Sequence, residues 1–117
     1  MNLISCHILD STFGKNASKI RVTLRSLNDN EQIFVTNATS DGRIKESFES
    51  QENQLFELNI ASNDFLKECS NMDFSIIPDI PIKFMTKKQN SHYHFSVVFS
   101  PSSYSVISVV SDLDNSI

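Results

Sequence analysis

The sequence predicts an all-β domain, a two-sheet antiparallel sandwich of about eight short strands with one short helix. Three observations predict it. Apolar and polar residues alternate with period two along several separate segments, the pattern of a strand with one face on a core. Turn residues separate nearly all of these segments, at Phe13-Gly14-Lys15, Asn28-Asp29-Asn30, Asp41-Gly42, Lys88-Gln89-Asn90 and Ser100-Pro101-Ser102-Ser103. Only one stretch carries apolar residues at helical spacing.

In chain order, Ile4, Cys6 and Ile8 oppose Leu3, Ser5, His7 and Leu9, and Ile20, Val22 and Leu24 alternate with Lys19, Arg21, Thr23 and Arg25. A shorter strand is expected from Glu31 to Asn37 and another just after Gly42. Phe56, Leu58 and Ile60 then alternate with Glu57 and Asn59. The helix starts near Ser62 or Asn63, either of which can cap it, carries Phe65, Leu66 and Cys69, and ends by Asn71. Ile80, Ile82 and Phe84 share a face in a run whose Pro78 and Pro81 point to a sheet edge or the start of a strand. Tyr93, Phe95, Val97 and Phe99 oppose His92, His94, Ser96 and Val98, so both histidine-bearing strands turn their histidines away from the more apolar face.

The last segment, Tyr104 to Val110, has Val106 and Val110 on one face and Ile107 and Val109 on the other. Antiparallel strands usually leave one face wet, so something should cover the second face. A homo-oligomer is the favoured cover, a strand sunk within a single core the alternative. Residues 1–110 form the domain and 111–117 a polar, loose tail.

A chain of 117 residues has the length of one domain, and its 39% hydrophobic content with 9 Phe can fill one core. With 10 basic against 14 acidic residues, the charge balance argues against a grip on nucleic acid. Lys87-Lys88 is taken as a solvated turn. No apolar run is long enough to span a bilayer, and the start has neither a basic nor an apolar signal-like stretch. The expected location is cytoplasmic; a peroxisomal one is left open, although the end Asn115-Ser116-Ile117 is no S-K-L address. Cys6 and Cys69 stand in no CxxC context, so free thiols are favoured over a disulfide. The sequons at Asn16 and Asn37 carry no weight without a secretion signal.

The segments Ile4-Ser5-Cys6-His7-Ile8-Leu9-Asp10, Gly14-Lys15-Asn16-Ala17, Asp41-Gly42-Arg43 and His92-Tyr93-His94 followed by Ser100-Pro101 resemble, in order and spacing, the transthyretin-related family. Its hydrolase branch typically has L-S-T-H-V-L-D, T-G-K-P-A, D-G-R and H-Y-H-V-P-L-L-L-S-P-Y-G-Y-S-T-Y-R-G-S. The likeness extends from Leu3 to about Val106 and includes the run from Phe74 to Phe84. It implies a transthyretin-like (prealbumin-like) sandwich, a homotetramer with active sites in a channel between dimers, and hydrolysis of a small-molecule substrate, 5-hydroxyisourate, without metal or other cofactor. By that resemblance His7 and His94 correspond to catalytic histidines and Arg43 to the arginine that grips the substrate, with His7 and Arg43 also substrate-binding.

The residue types suit that chemistry. A neutral imidazole can take a proton from water and return it to a leaving nitrogen. An arginine presents an always-charged planar fork to an anionic substrate and to developing negative charge. His7, His92 and His94 could also be imagined as a zinc set, but no thiol or carboxylate is spaced to complete one.

The sequence departs from the hydrolase branch at its end. In register from Ser100-Pro101, the Tyr-Arg-Gly-Ser positions hold Ile107, Ser108, Val109 and Val110, P-Y-G-Y has become Pro101-Ser102-Ser103-Tyr104, and the Pro after H-Y-H-V is Ser96. Two functions therefore compete. One is a diverged hydrolase in which Ser108, or another group of the last strand, binds substrate in place of the missing contacts. The other is a catalytically impaired transthyretin-like binding or structural protein.

Overall fold

The computed structural model describes residues 1–70 and 74–113, which form two packed sheets and one helix. In chain order the elements are β1 (Asn2–Asp10), β2 (Lys15–Asn16), β3 (Arg21–Ser26), β4 (Glu31–Asn37), β5 (Arg43–Phe48), β6 (Leu55–Ile60), α1 (Ser62–Ser70), β7 (Ile80–Met85), β8 (Ser91–Phe99) and β9 (Tyr104–Asp112). The first sheet runs β2-β1-β8-β9, with β5 pairing the first part of β1 and the two-residue β2 its last part. The second sheet runs β4-β3-β6-β7. All the expected strands form.

Alternation translates directly into burial. Ile4, Cys6 and Ile8 of β1, Val22 and Leu24 of β3, Phe56, Leu58 and Ile60 of β6, Ile80 and Ile82 of β7, and Tyr93, Phe95, Val97 and Phe99 of β8 lie in one core between the sheets. Each fully buried aliphatic or Phe side chain contributes about 1.5–3 kcal/mol. Phe84 joins the two sheets, its ring centroid 5.7 Å from Phe56, 5.6 Å from Tyr93 and 5.2 Å from Phe95. Anchoring the odd residues of β8 inward leaves His92, His94 and Ser96 on the outer face. Pro81 sits in β7, an edge strand, where a missing N–H costs no ladder bond on the open side.

Three features differ from expectation. β1 and β8 run parallel, Leu3 to Asp10 against His92 to Phe99, within an otherwise antiparallel sandwich. Alternation assigns a strand's face but says nothing of its partner's direction. Ser62 is the first helical residue, its Oγ is buried without a hydrogen-bond partner, and the first helical bond runs from Phe65 N to Ala61 O at 3.1 Å, so Ser62 does not cap the helix. Asn71, the expected helix end, lies outside the described residues. Phe65 docks α1 edge-on against Phe99 with centroids 6.0 Å apart.

β9 extends to Asp112, past the expected domain boundary at residue 110, and Lys88 pairs with Asp112 at 2.7 Å across the base of the β8–β9 hairpin. The remainder of the expected tail, 114–117, lies outside the described residues. β9 is also the open edge of its sheet, with Ile107, Val109 and Val110 68%, 56% and 60% exposed, so it is not sunk within a single core. Cys6 is buried, Cys69 exposed, and both are free. No helix among the described residues is long and apolar enough to cross a membrane.

Candidate active site

The outer face of the first sheet collects its polar residues by parity. Directly paired residues point to the same side of a sheet, so each register pair places two side chains together. Ser5 is paired with Lys45 on one side and His94 on the other, and His7 with Arg43 and Ser96. His92, one pair further along β8, stands beside Leu3. The parallel alignment of β1 with β8 thus sets the histidines of both strands on one surface.

A tight turn delivers Arg43. Gly42 has φ +72°, and a Cβ there would stand 2.5 Å from the Ile8 carbonyl oxygen, so only glycine fits. Its own carbonyl accepts a hydrogen bond from Ile8 N at 2.8 Å, which ties the turn to β1. Thr39 closes the loop, its oxygen atoms accepting from Gly42 N, Asp41 N and Arg43 N while its N–H donates to Arg43 O. Arg43 therefore enters β5 opposite His7, its guanidinium free of any ion pair among the described residues.

The imidazoles are held by short polar side chains. His7 Nε2 lies 3.0 Å from Asn16 Oδ1; an amide oxygen only accepts, so this contact is a hydrogen bond in the Nε2–H form of His7, whose lone pair is on Nδ1. Ser5 Oγ lies 2.6 Å from His92 Nε2 and 2.7 Å from His94 Nδ1. The other nitrogen of His94, Nε2, is 3.3 Å from Ser96 Oγ. The His92 and His94 rings are nearly perpendicular, 6.3 Å apart.

A cavity of about 360 Å³ opens on this face, lined by Ser5, Arg43, Lys45, His92 and His94 among others. Its cationic groups suit an anionic or enolate-like ligand. His94 is held below the ordinary histidine range, chiefly because burial disfavours its charged form, and further because His92, Arg43 and His7 oppose a second positive charge. It is therefore neutral, and able to accept a proton, at neutral pH.

Of the expected site residues, His7, Arg43 and His94 share this face. Ser108 does not. It is paired with Phe95, whose ring is in the core, so its side chain leaves the sheet on the side away from the histidines. The β9 residues that do face the site are Ser111, beside His92, Val109, beside His94, and Ile107, beside Ser96, with Ser105 beside Val98 further along. Ser5, His92, Asn16 and Ser96 were not expected as site residues, although the parity of Ser5 with His7 and of Ser96 with His94 could have placed both on this face.

Comparison with known proteins bears on the family and the fold. A family model described as the HIUase/Transthyretin family matches residues 4–107. The 5-hydroxyisourate hydrolase of Salmonella dublin is 31% identical over 107 residues, covering 89% of this chain and 78% of that protein. The solved structure of Klebsiella pneumoniae 5-hydroxyisourate hydrolase superposes with a TM-score of 0.79 at 21% identity, covering 92% of this chain and 97% of its own. Transthyretin from Sparus aurata superposes with a TM-score of 0.78 at 17% identity, covering 93% and 97%.

Proposed function

The chain belongs to the HIUase/transthyretin family, and from that membership we propose that it hydrolyses 5-hydroxyisourate to 2-oxo-4-hydroxy-4-carboxy-5-ureidoimidazoline, a step of urate degradation. The observation that carries the proposal is the convergence of His7, Arg43 and His94 on one face, where Arg43 and His94 line a cavity.

The reaction opens a cyclic amide. Water loses a proton to an imidazole, its oxygen bonds to the carbonyl carbon, and the C–N bond breaks as the nitrogen is protonated. His94, kept neutral, suits the accepting step, and the imidazolium so formed, with His7 beside it on the same face, suits the return of that proton to the leaving nitrogen. Arg43 holds the anionic substrate and stabilises the negative charge that develops on the carbonyl oxygen.

The proposal includes a homotetramer. Ile107, Val109 and Val98 present apolar side chains on the site face next to the open edge of β9, and a second copy would cover them while closing the cavity. The competing reading, a binding protein without activity, is favoured by the same strand, which sets Ile107 beside Ser96 and Val109 beside His94 and does not hold the Tyr-Arg-Gly-Ser of the hydrolase branch. Decay of freshly generated 5-hydroxyisourate, followed by ultraviolet absorbance with and without the protein, decides between the two.

A further inference from the structure

We propose that the Ser5 hydroxyl makes the tautomer of His94 follow the protonation state of His92, so that Ser5 and His92 are positioning residues that switch the proton-accepting nitrogen of His94 on and off. The role in catalysis rests on the hydrolase reading; the switch itself does not.

Ser5 is 9% exposed and its Oγ touches both rings, at 2.6 Å and 2.7 Å, yet a hydroxyl has one proton to donate. With both rings neutral, a fully bonded arrangement requires one ring to donate to Ser5 and the other to accept from it. If His94 Nδ1–H donates, Ser5 donates to His92 Nε2, and both rings are Nδ1–H tautomers. His94 Nε2 then keeps its lone pair, and this nitrogen has only the looser contact to Ser96 at 3.3 Å. It can take a proton from water while every bond of the chain stays in place.

Protonating His92 reverses the chain. His92 Nε2 must then donate, the Ser5 hydroxyl turns to donate to His94 Nδ1, and the proton of His94 moves to Nε2. The accepting nitrogen is capped and His94 no longer serves as a base. Burial and the neighbouring positive charges already oppose charging both rings together. Among the described residues, the charged or titratable groups on this face are His92 on β8, His7 on β1, and Arg43 and Lys45 on β5, while β9 contributes Ser105, Ile107, Val109 and Ser111. None of these is a carboxylate that could neutralise the pair.

The test is nitrogen-resolved NMR of the imidazoles in the substrate-free protein across pH. The expected result is matched Nδ1–H tautomers of His92 and His94 when both are neutral, with His94 moving to Nε2–H as His92 becomes charged. In Ser5→Ala that correlation should vanish, and Ser5→Thr, which keeps the hydroxyl, should restore it. His92→Gln cannot be protonated, so His94 should keep one tautomer throughout. Opposite fixed tautomers in the wild type, matched Nε2–H tautomers while both rings are neutral, or correlation that persists in Ser5→Ala, overturns the proposal. In the hydrolase assay Ser5→Ala should lower kcat by about 10-fold or more with little change in KM, and Ser5→Thr should recover it; an unchanged kcat also overturns it. A wild-type protein with matched tautomers and no hydrolysis supports the switch and removes the hydrolase reading.

Discussion

His7 and Arg43 are direct cross-strand partners, the first on β1 and the second at the start of β5, so a proton carrier and a permanent positive charge stand side by side on one sheet face. On the other side of β1, Ser5 is paired with His94. The candidate chemistry is therefore fixed by backbone register, and each of its parts can be removed singly.

Substitution of His7, His94 or Arg43 by Ala should each lower kcat/KM for 5-hydroxyisourate by about 100-fold or more, the usual cost of losing an acid-base or oxyanion group. Arg43→Lys should recover only part of the loss, because an ammonium keeps the charge but not the paired hydrogen bonds. Steady-state kinetics on the four variants would check this; a variant at wild-type rate would remove that residue from the site.

The acid side of the pH profile follows from His94. Its folded-state pKa is lowered from 6.5, so its neutral form persists below that pH, and kcat should fall on the acid side when His92 takes a proton and caps the accepting nitrogen or when His94 itself is protonated. His92→Gln removes both that switch and one of the opposing charges, so the fall that remains should follow His94 alone, moved up toward 6.5. Stability has a matching sign. Below about 6.5 the unfolded chain binds the proton more readily than the folded one, so this group makes the fold less stable as pH falls, and denaturation midpoints measured across that range should show it.

Gly42→Ala should destabilise the protein by about 2 kcal/mol or more, since it combines a left-handed backbone with a contact of 2.5 Å to the Ile8 carbonyl. Any folded remainder should also lose activity, because the turn aims Arg43. The same substitution at Gly14, where φ is +64° but no atom lies within 4 Å of the added Cβ, should cost only the backbone strain. Urea denaturation of the two variants separates clash from conformation.

Burial pushes the Cys6 thiol up to about 12, so it stays protonated and shielded in the core, whereas Cys69 is exposed on α1. A thiol-alkylating reagent should modify one cysteine in the native protein and the second only after unfolding. Mass spectrometry of the labelled peptides would show which; labelling of native Cys6 would contradict the core assignment.

Much of this architecture was legible in the residues because period two alone assigns faces. Ile4, Cys6 and Ile8 went inward and Ser5 and His7 outward as alternation required, and Pro81 marked an edge strand. What alternation could not supply was pairing. The parallel alignment of β1 with β8 joins segments more than eighty residues apart, and only it sets Ser5 between His92 and His94. The misplacement of Ser108 has a different origin. A polar residue was sought to replace lost contacts, although its parity with Val106 already set it on the core side. The helix cap failed because Ser62 became part of the first turn and was buried.

The apolar side of the site bears on assembly. Ile107→Glu places a charge on the exposed face of β9, and should shift a tetramer toward smaller species in light scattering while leaving the fold intact by circular dichroism. A wild-type monomer at micromolar concentration would contradict the tetramer.

The central claim is tested most directly by the decay of 5-hydroxyisourate freshly made from urate, timed against protein concentration for the wild type and for Arg43→Ala. The account predicts a wild-type rate that rises in proportion to protein and an Arg43→Ala rate close to that of buffer. A wild-type rate equal to buffer at every concentration would contradict it and leave the chain a binding protein on the same fold.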